Sequence, residues 1–363
     1  MSNFDKYFVF FSTCFAVNGY NRSLILDLQR RTFLSIPNTM YEIIDLFNSK
    51  KSIGEIIEFY GIENSEIINE YVDYLLEKEF GFIANYEEFD NFPAMNRSFE
   101  VPSLITNSII EISHINLGNI KKIIQNLNDF NCTHVQFISY DKILLNDLIL
   151  LLKESEESDF KSIQFILKYT DEVFEFLPQV INYNKRVTEI LFHSSEDITD
   201  KIIPPTNFNI NFLEYAIRNF KFCGVVNEKY FNQVNKERVL ESLNHNSCLY
   251  KKIAIDEAGN IKNCPALKKK FGNIQDITLQ NAIEINGFTE FWDIKKDEIT
   301  TCKDCEFRHV CTDCRAFLEN PKDKHSKPLK CGYNPYDNIW EDWSLNPLKE
   351  EALTYYGFEN LKM

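Results

Sequence analysis

Glycine is in short supply in this chain. There are 11 glycines in 363 residues, about 3% against a typical ~7%. Gly118 alone stands between Gly81 and Gly224. Backbone comes close to a phosphate or dinucleotide only where a Cβ is missing, so this stretch excludes a Rossmann fingerprint and a P-loop. Positive charge is also short. The 39 Lys and Arg face 54 Asp and Glu, giving a formal net charge of −15 and a pI near 5.0. Nucleic-acid binders need the opposite surplus to displace phosphate counterions, so no nucleic-acid partner is expected. No apolar run reaches the ~18–20 residues of a membrane-spanning helix. Residues 8–17 have the length of a signal-peptide core. However, Asp5 precedes them, Lys6 is the only positive charge and no small-residue cleavage site follows. Their aromatic and β-branched content fits a buried strand. The expectation is a cytoplasmic protein with no membrane partner. The six histidines, among them His114 and His193, form no HxxxH or HExxH pair, and G-x-S-x-G is absent. No residue is singled out as catalytic or as a ligand of an organic cofactor.

What is present is cysteine, with a spacing. Cys14, Cys132 and Cys223 stand alone in apolar surroundings and read as buried structural thiols. The other seven are Cys248, Cys264, Cys302, Cys305, Cys311, Cys314 and Cys331. They run C-x10-G-x4-C through Gly259, then C-x2-C-x5-C-x2-C, then a last C. Two thiolates separated by a tight turn face one metal centre, and seven exceed what one tetrahedral ion uses. Disulfide scaffolds are short and secreted, unlike this chain. Zinc ribbons separate their CxxC knuckles by about 15–20 residues, so the five here are closer to cluster-binding runs. One or two [4Fe-4S] clusters are expected, with zinc as the alternative.

This pattern resembles the SPASM domain, the auxiliary-cluster module of radical S-adenosylmethionine peptide maturases. Ala254-Ile-Asp-Glu-Ala-Gly259, Phe307-Arg-His-Val-Cys311 and Cys331-Gly-Tyr-Asn-Pro335 resemble its flanking signatures. The resemblance implies that Cys302, Cys305, Cys311 and Cys331 hold one cluster. Cys248, Cys264 and Cys314 would give three ligands to another. The chain departs from the family at Thr312-Asp313, two residues where three are usual. Upstream, strand-like stretches at 107–113, 133–139, 162–168, 186–193, 209–213 and 220–226 alternate with helical ones such as 120–130 and 144–153. That alternation predicts a parallel sheet with crossovers, and six strands would suit the open (β/α)6 barrel that accompanies a SPASM domain. The family's C-x3-C-x2-C and Gly-Gly-Glu turn are missing: the corresponding loops read Ser113-His-Ile-Asn-Leu-Gly-Asn119 and Ser139-Tyr-Asp-Lys142. No S-adenosylmethionine is expected.

Residues 1–88 read as a unit of their own. Strands at 7–11, 24–28 and 32–36 precede helices with capping-box spacings at Thr39-x-x-Glu42 and Ser52-x-x-Glu55, a helix over 64–78, and a closing strand at 80–83. This order resembles the winged-helix recognition element for precursors of RiPPs (ribosomally made, modified peptides). An extended peptide could add to the edge strand at Thr32, Phe33 and Ser35, beside Ile68, Tyr71 and Leu75. The basic run Lys268-Lys-Lys270 reads as a solvated loop. The predicted class is α/β. A recognition element over 1–88 precedes a degenerate partial barrel over 89–235, a SPASM domain over 236–345 and a tail over 346–363. Together these parts resemble the SPASM component of grasp-with-spasm systems. That implies a protein that binds a precursor leader and presents it to an ATP-grasp ligase. The alternatives are an iron-sulfur peptide-modifying enzyme and a zinc-stapled peptide-binding adaptor.

Overall fold

The computed structural model describes residues 4–196, 202–231 and 234–358; the last five residues of the tail lie outside it. The N-terminal part contains β1 (Tyr7–Phe10), β2 (Cys14–Val17), β3 (Ser23–Asp27), β4 (Thr32–Ile36), α1 (Asn38–Asn48), α2 (Ile53–Tyr60), α3 (Ser65–Glu77), β5 (Gly81–Ala84) and the short α4 (Tyr86–Phe89). The apolar run 8–17 is two strands, turned where Cys14 N–H bonds the Phe11 carbonyl at 2.8 Å. β1 pairs with β5, while β2, β3 and β4 form an antiparallel sheet with β3 in the middle.

Side chains alternate across a strand, and here both faces are used. Cys14, Ile25 and Ile36 pack on Met40, Ile44, Phe47, Ile68 and Leu75 from the helices. Phe15, Val17, Leu24 and Leu26 pack on Phe307, Val310 and Tyr333, far away in sequence. The Ser52 capping box forms, with Glu55 N–H on Ser52 Oγ at 3.1 Å and Ser52 N–H on Glu55 Oε2 at 2.8 Å. The Thr39 box does not form: Pro37 occupies the N-cap position of α1 and has no capping side chain.

The central part runs β6 (Asn107–Glu111), α5 (His114–Gly118), α6 (Ile120–Asp129), β7 (His134–Ile138), α7 (Leu145–Glu154), β8 (Ser162–Lys168), α8 (Asp171–Phe176), α9 (Val180–Tyr183), β9 (Val187–His193) and β10 (Asn209–Phe212). The remainder holds α10 (Lys236–Asn244), β11 (Lys252–Ile255), β12 (Ile261–Lys262), α11 (Leu279–Ile283), β13 (Tyr333–Asn334), β14 (Ile339–Trp340) and α12 (Glu350–Tyr356). Seven strands make one sheet in the order β10-β9-β8-β7-β6-β11-β12, parallel throughout except for β11 against β12. Ile110, Phe137, Phe165 and Ile190 point to one face, where Ile123, Leu127, Leu148, Leu151 and Leu177 of the crossovers bury them.

Residues 220–226 are not the sixth parallel strand. Phe220–Phe222 is a short 3-10 turn, and Gly224 at φ +86° breaks the extended path that follows. The sixth strand is β11, from the cysteine-rich stretch. It lies beside β6 in the register Lys252 to Asn107 through Ile255 to Ile110, and buries Ile253 and Ile255 in the central core. On the face away from the helices, Gln136, Gln164, Glu189 and Asn211 form a hydrogen-bonded row at 3.2, 3.2 and 2.7 Å. Towards the carboxyl ends of the strands, Ile138, Ile166 and Leu191 lie under Leu213, Ile217 and Phe222, from the chain that follows β10.

Candidate metal centre

The later cysteines sit on successive tight turns. Cys302 opens the 3-10 turn Cys302–Asp304, Cys305 N–H bonds the Cys302 carbonyl at 3.0 Å, and Cys311 N–H bonds the Phe307 carbonyl at 3.0 Å. Val226 bridges Cys331 from across the module. Burial first, then Cys331, Asp313 and Cys311, push the Cys302 thiol up to about 12 against the opposing charge of Lys296. Cys305 is pushed well above its ordinary value by burial, Cys302, Glu306, Cys331 and Cys311. Cys302, Cys305, Cys311 and Cys331 therefore share one electrostatic neighbourhood. Lys296, only 4% exposed, donates to Cys311 Sγ at 3.1 Å. Burial pulls its ammonium down, but Cys311, Cys302 and Asp313 together hold it above its usual range.

The second neighbourhood is built by a hairpin. Gly259 turns at φ +77°, a left-handed conformation that only glycine takes freely. It returns β12 along β11, and Asn263 Nδ2 then donates to the Lys252 carbonyl. Continuing that register brings Cys264 back beside Lys252, whose ammonium reaches Cys248. Burial, Cys248, Cys223 and, less strongly, Cys314 raise the Cys264 thiol. Cys314 is lifted to about 12 by burial, Cys248 and Cys223. Lys252 Nζ donates to Cys248 Sγ at 3.4 Å. Burial lowers its ammonium, and Cys248, Cys264 and Cys223 more than restore it.

Cys223 is therefore not the isolated structural thiol that the sequence predicts. A Cβ on the adjacent Gly224 would lie 3.0 Å from Cys314 Sγ, so the backbone here runs against that sulfur. Cys223 retains accessible surface although protein atoms crowd it on most sides. That crowding and nearby Cys248 push its thiol upward. The signal for it was the glycine itself, the first after Gly118 and immediately following a cysteine. Cys14 and Cys132 are buried, and burial lifts each to about 12.

A polar clamp ties the two groups together. Asn246 Oδ1 accepts from Cys248 N–H at 3.1 Å, and its Nδ2 donates to Asp313 Oδ2 at 2.6 Å. Asp313 also holds Arg315 at 2.6 Å. The shortened Thr312-Asp313 spacer thus places a fully buried carboxylate between Cys311 and Cys314. Among the described residues no three His, Cys, Asp or Glu side chains converge on a single ion. Tetrahedral zinc with ~2.3 Å bonds needs such convergence, whereas an iron-sulfur cluster spreads its four thiolates around its own body. Two sets of four thiols, each with a lysine ammonium aimed at a sulfur, are the groups that could hold an anionic metal centre.

At the expected peptide edge, β4 pairs with β3 alone among the described strands. Thr32 and Ser35 are exposed. Phe33 is half-buried, with its ring 5.8 Å from that of Phe307. Ile68 and Leu75 lie in the core at 1% and 0% exposure rather than at a surface. Tyr71 is partly accessible, and its hydroxyl meets Thr39 Oγ1 at 2.9 Å, just beyond the end of β4. No helix among the described residues is long and apolar enough to cross a membrane.

No family model matches the chain, and neither does any curated protein. Solved structures that share its general course include Streptococcus suis SuiB, at 11% identity and a TM-score of 0.34. The same protein bound to S-adenosylmethionine gives 12% and 0.35, and bound to precursor peptide SuiA 10% and 0.35. Each match covers 88% of this chain and 98% of the other. Likeness at this level carries no weight for mechanism.

Proposed function

We propose that this chain is a RiPP maturation protein that grips a precursor leader, carries two [4Fe-4S] clusters and presents the peptide to a partner such as an ATP-grasp ligase. Cys302, Cys305, Cys311 and Cys331 hold one cluster. Cys248, Cys264 and Cys314 hold the other, with Cys223 as its fourth ligand. The observation that carries this reading is the grouping of eight thiols into two fours, each with one lysine directed at a sulfur. When bound, such clusters store and pass single electrons and brace a loop-rich module. Lys252 and Lys296 supply positive charge to the ligand sulfurs, and the Asn246–Asp313 clamp fixes the distance between the sites. The chain itself uses no S-adenosylmethionine: Ile217 and Phe222 cover the sheet face where a barrel enzyme would seat a cofactor. The leader adds to β4 as a further strand, main chain to main chain.

Protein purified without oxygen is expected to be brown, with two clusters' worth of iron and acid-labile sulfide per chain. Cys223→Ser should lower that content, while Cys132→Ser, in the apolar core, should not. Stoichiometric zinc without sulfide would sink the cluster reading. Full iron content in Cys223→Ser would remove Cys223 from the ligand set. Ser35→Pro takes away a backbone donor of β4 and should weaken leader binding by at least ~10-fold if that donor faces the peptide.

A further inference from the structure

Beside the second cysteine neighbourhood lies a cleft of about 390 Å³, within the ~300–1,000 Å³ typical of ligand sites. Its apolar lining includes Phe220, Ala266, Phe317 and Leu318, together with Tyr355 and Tyr356 from α12. Its charged lining is Lys221, Lys268, Lys269, Lys322, Lys324 and Arg315 against the single carboxylate Glu290. Six cations less one anion leave five positive charges on one cleft of a chain whose net charge is −15.

Half of those six cations are uncommitted. Arg315 is matched by Asp313 at 2.6 Å and Lys269 by Glu290 at 3.6 Å. Lys221 donates to the Gly357 carbonyl at 3.1 Å; among the described residues, Lys268, Lys322 and Lys324 are exposed and have no carboxylate within ion-pair distance. Lys268 Nζ stands 4.1 Å from the centre of the Tyr355 ring. Arg315 is 3% exposed. It spends its Nη atoms on Asp313 and on the Lys324 and Ser326 carbonyls, leaving Nε buried without a partner. A solvated loop explains Lys268-Lys-Lys270 as a sequence. It does not explain cations from four separate stretches gathered around aromatic rings.

We infer that this cleft binds an acidic segment of the peptide substrate. Its carboxylates would meet the free lysines, and an apolar side chain would rest among Phe220, Phe317 and Tyr355. This rests on the peptide-handling reading above and extends it from leader to substrate. The position suits that role, since Lys221, Ala266 and Arg315 each stand within two residues of Cys223, Cys264 or Cys314. Phosphate is the weaker fit. The lining contains no glycine to admit close backbone, which a compact phosphate site uses and an extended peptide does not need.

The test uses the full chain and a fluorescein-labelled Glu-Phe-Glu-Leu-Glu-Phe peptide, followed by anisotropy at low salt. The acidic peptide should bind at least ~10-fold more tightly than its Lys-Phe-Lys-Leu-Lys-Phe counterpart. Lys268→Glu combined with Lys324→Glu should remove most of that difference. Both lysines are exposed, so circular dichroism and iron content should remain those of the parent. Equal binding of the two peptides, or affinity within twofold after the double reversal, would overturn the inference. So would displacement of the peptide by inorganic phosphate as effective as displacement by unlabelled acidic peptide. Leader docking is tested apart from this by Ser35→Pro, which should leave acidic-peptide binding unchanged. A chain without iron that still shows the charge-reversal effect would defeat the clusters and spare the cleft.

Discussion

A lysine buried against sulfur is unusual enough to demand an anion. Lys296 is 4% exposed and directs its ammonium at Cys311 Sγ, with no carboxylate at ion-pair distance among the described residues. Burying an unpaired charge costs several kcal/mol, so the site makes physical sense once Cys311 is a thiolate in a negatively charged group. Removing the charge should make that group harder to reduce. Lys296→Met, close in length and apolar, is expected to lower the reduction potential of one cluster by tens of millivolts, because hydrogen bonds to the sulfurs and local charge set that potential. Potentiometric titration followed by electron paramagnetic resonance reads this directly. An unchanged potential at full iron content would mean that the lysine serves packing alone. At this scale the sequence was informative but incomplete. Seven ligand candidates could be read from spacing, because CxxC geometry is local. Cys223 could not, because its neighbours Cys248, Cys264 and Cys314 are distant in sequence and only the fold assembles them. The buried Lys296 and the half-buried Lys252 left no trace at all, since a lysine in isolation reads as surface.

Among the elements, the three-stranded sheet of β2, β3 and β4 departs most from what its sequence predicts. A recognition element over 1–88 is expected to fold as its own unit, with one face on its helices. In the structure all five residues of β3 are buried, and Phe15, Val17, Leu24 and Leu26 pack against the cysteine-rich part. At ~1.5–3 kcal/mol per buried side chain, those four account for roughly 6–12 kcal/mol of gross burial, which matches the whole net stability of a typical domain at ~5–15 kcal/mol. Residues 1–88 expressed alone should therefore be poorly soluble, or melt well below the full chain. Replacing the four with Ser, Thr, Gln and Gln should rescue solubility of the fragment while destabilising the full protein. Thermal melts by circular dichroism compare the two, and a fragment as stable as the full chain would contradict the shared core. Alternation marked these strands correctly, yet it does not reveal what covers the second face. The same limit explains β11: its Lys-Ile-Ala-Ile pattern announces a strand, but pairing with β6, about 145 residues earlier, is a tertiary event.

For the molecule as a whole, the parts that composition separates are locked together. Tyr20 N–H bonds the Asp304 carbonyl at 2.8 Å, Arg22 holds Glu306 at 2.6 Å, and Arg308 reaches Asn18 Oδ1 at 2.9 Å. The expected peptide edge, the thiol groups and the parallel sheet therefore belong to one continuous packing arrangement. Through Phe33 and Phe307, β4 touches the same cluster of side chains that contains Cys311. This arrangement has a consequence for cofactor use. The face of the sheet away from the helices carries an internally satisfied row of amides and, nearer the strand ends, Ile138 and Ile166 under Ile217 and Phe222. Glu111, at the end of β6, is spoken for by Tyr140 and by the Glu257 N–H at 2.9 Å. A methionine amine, a ribose and an adenine would each need polar groups or backbone that this face has already used, and the glycines that would let backbone come near are absent from 119 to 223. The full protein, with its clusters reconstituted, is expected to give no calorimetric signal with S-adenosylmethionine and no 5′-deoxyadenosine under strong reductant. Ile217→Ala with Phe222→Ala should open space on that face without creating a site, since the missing cysteine triad is a matter of ligands rather than room. Turnover above a no-protein control in the parent chain would reverse the argument, because it would require a ligand set for the cofactor that neither the glycine-poor loops nor the covered face provides.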